Sequence, residues 1–227
     1  MFKNPSAVMT MTRQKLVNYK PETRDWFHEK GVTIKKEGDM FFLRSDPRGH
    51  ISEMTPFFNG VVFHNQHLCA FPGFTIKETA LSQEIENGTF ILDESTLFAQ
   101  VLEGDRAYMF WDRIDEEWKF SSDKKIKSPH TDLLLDKIYN IHSSEFDFTY
   151  VINVIESGKD KGIYLETIWN NKTFKELHIE KIIKYAQKYK LKYPNLYYLE
   201  KGQKIEETDL PLLARDISGN KIKIISL

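Results

Sequence analysis

The chain reads as an α+β protein, mainly antiparallel sheets with flanking helices. From Val32 to Ser121, short apolar stretches alternate with turn-forming clusters. Helical spacing appears near the N-terminus and again after Leu177, and 41% hydrophobic with 29% charged residues is ordinary globular composition. No repeat, low-complexity tract or Pro/Gly/Ser-rich linker divides the 227 residues, so a single globular unit is the economical expectation, with residues 1–30 as a helical segment leading into 31–227.

Thr12 to Lys30 carries a weak helical pattern on Leu16, Tyr19, Trp26 and Phe27, interrupted by Pro21, which fits two short helices or a kinked one. Val32-Thr33-Ile34 and Met40 to Leu43 read as strands joined across Lys36-Glu37-Gly38-Asp39. Phe57 to Phe63 and Leu68 to Phe71 flank His64-Asn65-Gln66-His67 as a second hairpin, ended by Pro72-Gly73-Phe74. Thr89 to Leu92, Leu97 to Leu102, Ala107 to Trp111 and Trp118 to Ser121 continue the set of strands.

Ser128 to Asp132 is a helix-start signal, and Leu134, Leu135, Ile138 and Ile141 share one face of the helix it would begin. Tyr150 to Ile155 and Ile163 to Trp169 return to strand. Ile179, Ile182, Ile183 and Ala186 at i, i+3, i+4 and i+7 define an amphipathic helix whose other face is rich in lysine. Leu210 to Arg215 and Ile222 to Leu227 read as a closing hairpin.

The formal net charge of −1 makes the protein as a whole no electrostatic trap for nucleic acid or anionic membrane. Its distribution is uneven: residues 1–36 carry eight Lys/Arg against three acids, residues 172–192 seven Lys against two, and residues 80–123 eleven acids against three Lys/Arg. One cysteine, Cys69, excludes an intramolecular disulfide, and no apolar run suits a signal peptide or membrane span, so an intracellular, cytoplasmic setting is expected.

Several strings, in order, resemble the nucleotidyltransferase domain of the RNA ligase family, the phage and viral enzymes that join RNA ends through a lysine-AMP intermediate. VTIKKEGDMFFLRSD is similar to a hairpin of that family, Pro56 to Phe63 and Ala70 to Phe74 to its next two segments, and Leu92-Asp93-Glu94-Ser95-Thr96-Leu97 to its Lys-x-Asp-Gly-Ser-Leu element. Thr149 to Val154 resembles the Thr-Tyr-x-Phe-Glu-x strand, Gly162 to Asn171 the strand after it, and Leu210 to Asp216 with Asn220 to Ser226 the closing Glu-Gly-x-Val and Lys-x-Lys strands. The resemblance implies an RNA/DNA ligase adenylation-domain fold and a viral source, which would make the compartment that of a host cell.

The departures imply lost chemistry. Leu92, or Ile91 with a shift of one, stands where the resemblance puts the nucleophilic lysine, and neither can form a phosphoramide. Asn59 stands for an arginine, Asn153 for a glutamate, Leu210-Pro211 for the Glu-Gly pair and Ile225 for the second closing lysine, while Lys223 is kept. Without these groups to bind sugar, phosphates and metal, no catalytic residue, cofactor or metal site is expected. Lys35-Lys36-Glu37-Gly38 matches Lys-x-Glu-Gly but reads as a solvated turn. His64-x-x-His67-x-Cys69 has metal-ligand residue types without a second cluster, so its histidines are assigned to a hairpin tip and Cys69 to the core.

The leading expectation is a catalytically inactive RNA ligase-like protein that binds RNA or another single-stranded nucleic acid through Lys124, Lys125, Lys127, Lys172, Lys175, Lys181, Lys184, Lys188 and Lys223, with tyrosines near the late helix available to stack or to pack beneath it. A protein-interaction or scaffold module on the same fold is the alternative, with a protein partner at the acidic zone or the aromatics. An active nucleotidyltransferase with a relocated lysine, such as Lys77 or Lys36, is the third.

Overall fold

The computed structural model describes residues 4–46, 48, 51–74, 97–100, 102, 104–135, 145–194, 196–198 and 222–225, with 97–100, 196–198 and 222–225 described by their backbone alone. Two helices open the chain, α1 (Pro5–Val17) and α2 (Pro21–Glu29). A proline sits in the first turn of each, where its missing N–H costs nothing, and the Asn4 side chain accepts the Ser6 N–H at 2.9 Å. The Asn4-Pro5 cap starts α1 well before Thr12, where the apolar pattern begins.

β1 (Val32–Glu37), β2 (Met40–Ser45), β3 (Asn59–His64) and β4 (His67–Ala70) form an antiparallel sheet in that order. Its tight turns use left-handed backbone at Gly38 (φ +58°) and Asn65 (φ +52°). β3 begins only at Asn59, because Thr55–Phe57 forms a 3₁₀ turn, so Phe57 and Phe58 are core residues outside the strand.

β5 (Leu97–Gln100) lies between β11 (Leu196–Tyr198) and β12 (Ile222–Ile225). The described partner of β12 is therefore β5; residues 210–215, expected to pair with it, lie outside the described residues, as does Thr89 to Leu92. The largest sheet runs β10-β9-β8-β6-β7, built from β6 (Asp105–Asp112), β7 (Glu117–Ser122), β8 (Phe148–Ile155), β9 (Gly162–Asn170) and β10 (Lys175–Glu176). Helices α3 (Thr131–Leu135) and α4 (Ile179–Lys188) complete the elements.

Strand alternation sorts the core into three parts. Phe41, Leu43, Val61 and Phe63 face α1 and α2, meeting Val8, Leu16 and Phe27. On the largest sheet, Met109, Tyr150, Ile152, Leu165 and Ile168 face Ile182 and Ala186 of α4 and Leu134 of α3. Leu135, expected beside Leu134, is exposed, because residues adjacent along a helix point about 100° apart. The remaining faces of the two sheets meet in a seam of Phe42, Val62, Cys69, Ala70, Phe110 and Ile126. Each phenylalanine there, at 0% exposure, contributes roughly 1.5–3 kcal/mol by leaving water.

Polar groups close one end of the seam. Asn171 donates to the Cys69 carbonyl at 2.9 Å and accepts from the Thr149 hydroxyl at 2.7 Å, and the Phe71 N–H reaches both Thr149 and Asn171. Among the described residues, no helix is long and apolar enough to cross a membrane.

Candidate nucleic-acid interface

The seam-facing side of β6 carries Arg106, Tyr108, Phe110 and Asp112 in turn, a row that passes from charge through apolar packing to charge again. At its first end Arg106 lies opposite Asn153 of β8. A register shift at Val151/Ile152 leaves Glu166 of β9 without a cross-strand partner. Such a bulge re-aims a side chain, and here the carboxylate accepts from Arg106 Nε and Asn153 Nδ2, both at 3.0 Å. The Asn153 amide also reaches the Leu102 carbonyl at 3.3 Å, while its own carbonyl oxygen has no partner among the described residues.

In the middle of the row Tyr108 is buried against Gly60 of β3. Gly60 has φ +90°, and a Cβ there would fall 2.6 Å from the Tyr108 ring, so the sheets approach where no side chain intervenes. The Tyr108 hydroxyl has no hydrogen-bond partner among the described residues, and burial pushes its phenol well above the usual range.

At the far end Asp112, at 0% exposure, accepts from His64 Nδ1 at 2.7 Å, from Lys119 at 2.8 Å and from the Ile114 N–H at 2.9 Å. His64 is thus buried in an ion network instead of standing free at a hairpin tip; Cys69, as expected, is in the core. Burial works to raise the Asp112 carboxyl, but the bonds from Lys119, Ile114 and His64 outweigh it and hold it below the ordinary carboxylate value. Burial works to lower Lys119, and its bonds to Asp112 and Asp115 outweigh that and raise it. His64, Asp112 and Asp115 cluster closely enough to ligate a metal, yet the Lys119 ammonium binds the same Asp112 and Asp115 oxygens a cation would use. The cluster is built around an internal cation.

The expected lysines fall into two groups at opposite edges of the largest sheet. Lys124, Lys125 and Lys127 come after edge strand β7; Lys172 precedes β10 and Lys175 begins it at the other edge, next to Lys181, Lys184 and Lys188 of α4. Four strand spacings, about 19 Å, separate the edges. Lys223 is placed on β12 in the third sheet.

Pairing divides them further. Lys172 binds Asp147 at 2.5 Å, and Lys188 binds Glu145 at 2.9 Å while lying over the Tyr185 and Tyr189 rings. Buried Glu145 also accepts from Tyr189 and Tyr150, and burial with this carboxylate raises all three tyrosine hydroxyls. Those tyrosines pack beneath the lysines. Lys125, Lys127, Lys175, Lys181 and Lys184 are exposed, and among the described residues their side chains have no ion-pair partner.

Two further cations join the first group. Lys35 Nζ reaches the Lys124 carbonyl at 3.4 Å and Arg44 Nη1 the Asp123 carbonyl at 3.5 Å. Strand alternation was the available signal: Arg44, Phe42 and Met40 share a face, and Lys35 lies opposite Phe42. Lys36 points to the other face, over the Tyr19 and Phe41 rings. Asn59 starts β3, whereas Lys77, Ile91, Leu92, Leu210 and Pro211 lie outside the described residues.

Solved ligase structures share this fold at low identity. An archaeal ATP-dependent RNA ligase superposes in one form with a TM-score of 0.60 at 10% identity, over 95% of this chain and 60% of that one. In a second form the values are 0.56 and 12%, over 84% and 54%. A protein from Aquifex aeolicus described as an ATP-dependent DNA ligase gives 0.56 at 14%, over 81% and 53%. The chain therefore spans between about half and three-fifths of each ligase's length. No protein-family model matches the chain, and no curated protein does.

Proposed function

We propose that this ligase-fold protein binds single-stranded RNA through exposed lysines and performs no adenylyl transfer. The observation that carries the binding half is the set of exposed lysines without ion-pair partners among the described residues, since phosphate contacts need only positioned, uncommitted positive charge. Lys172 and Lys188, spent on Asp147 and Glu145, contribute least. The loss of chemistry rests on the neutral residues at the family's charged positions: Leu92 or Ile91, Asn59, Asn153 and Ile225. Asn153 is moreover committed to Leu102 and Glu166. A relocated nucleophile at Lys36 is disfavoured, because that ammonium stacks on rings on the side of the sheet away from Asn153. The degenerate motifs fit a domain of viral descent retained for binding.

Two measurements test the proposal. Fluorescence anisotropy with a labelled single-stranded RNA should show binding that weakens steeply as salt rises; absence of a complex with micromolar RNA at low salt overturns the binding half. Incubation with labelled ATP or GTP and magnesium or manganese should leave no covalent adduct on a denaturing gel, and a labelled band overturns the inactive half.

A further inference from the structure

The cations that converge from both sheets on the turn after β7 form a patch that neither sheet has alone. Lys35 and Arg44 each spend one long contact on a carbonyl of that turn, and among the described residues most of their N–H donors are unused. Phe42, between them, is buried against Phe110 and Ile126, so the two charges stand at the rim of an apolar seam. The turn is itself held in shape: the Ser122 hydroxyl accepts the N–H groups of Lys124 and Lys125 at 3.2 and 3.0 Å, and the Ser122 N–H donates to the Lys125 carbonyl at 2.9 Å. Buried Ile126 anchors it, with Lys125 and Lys127 exposed on either side.

Asp123, 4.0 Å from Lys124, is the one acid in ion-pair range of these five cations among the described residues. Five like charges with a single acid in range among the described residues repel, and a polyanion relieves that repulsion. The five cations come from two strands of one sheet and from the turn of the other. Five positive groups outnumber the charge of one phosphate and suit successive phosphates of a strand.

We infer that the seam between the two sheets, through Lys35 and Arg44 together with Lys124 and Lys125, holds the phosphate chain of the bound RNA. This rests on the RNA-binding reading and gives that reading its location. The α4 edge, with two of its five cations committed to carboxylates, serves as the comparison.

The test compares the full chain with a Lys35→Gln/Lys125→Gln variant and a Lys181→Gln/Lys184→Gln variant. All four positions are exposed, so folding is not at stake. Binding of a fluorescein-labelled single-stranded RNA of mixed sequence is measured across a range of potassium chloride concentrations. Each lost phosphate contact lowers the slope of log K against log salt by about 0.7 for a single strand. The seam variant should lose about 1.4 from the slope and bind more weakly, a larger loss on both counts than that of the α4 variant. A seam variant that keeps the wild-type slope overturns the location and leaves RNA binding standing. Absence of binding by the unsubstituted chain removes both.

Discussion

Asp112 shows at the level of one residue how the two sheets are locked. Its carboxylate has left water completely and is held by a histidine from one sheet and a lysine from the other. Removing its charge leaves Lys119 with only its more exposed partners, a loss of about 3 kcal/mol for a buried pair. The pH dependence comes from the direction of each shift. The folded Asp112 value lies below its unfolded value of about 3.9, so its stabilisation is present above about pH 4 and lost as pH falls through the folded value. The folded Lys119 value lies above about 10.4, so that share is present below about pH 10.4 and lost as pH rises through the folded value. In urea unfolding, Asp112→Asn should be less stable at neutral pH and should lack this part of the acid limb; an acid limb as steep as that of wild type would refute the pairing. None of this was legible in the sequence, because His64 and Asp112 are 48 residues apart and only the folded register brings them together.

Elements were more legible than their partners. The hairpins around Gly38 and Asn65 arise from turn residues between apolar runs, and α4 arises from its i, i+3, i+4, i+7 spacing. Local chemistry decides such features. The bulge that frees Glu166 left no local signature, and Lys35 reads as a turn residue until β2 places Phe42 and Arg44 beside it. β3 comes close to β6 at Gly60, and this yields an expectation for paired variants. Gly38→Ala meets nothing within 4 Å and incurs only the strain of positive φ, whereas Gly60→Ala adds a clash with the Tyr108 ring. Overpacking adds about 1–3 kcal/mol, and each kcal/mol lowers Tm by roughly 2–4 °C in a chain of this size. Thermal melts should therefore show a larger loss for Gly60→Ala; equal losses would mean that Tyr108 yields freely.

For the molecule as a whole, the fold class was readable because alternating strands and amphipathic helices admit few layered arrangements. The position of the charge was not. The two lysine groups stand at opposite edges of one sheet, and the seam recruits cations from the N-terminal sheet. What links the halves is the shared apolar seam, and that seam encloses the chain's one thiol.

Cys69 consequently acts as a built-in gauge of whether the halves are joined. Burial, with the nearby Asp112 charge, pushes its thiol up to about 12, so at neutral pH the folded protein offers almost no thiolate. Alkylation by iodoacetamide should therefore proceed only through molecules whose seam has opened, and its rate reads out the population of that open form. Phe110→Ala, which empties part of the seam, should speed the reaction by the same factor by which it raises that population, whereas Leu133→Ala on an exposed face of α3 should leave it unchanged. Rapid labelling of the unsubstituted protein would mean that the sheets part readily in solution. With no second cysteine to confuse the signal, mass spectrometry can track the breathing of the whole fold at a single sulfur atom.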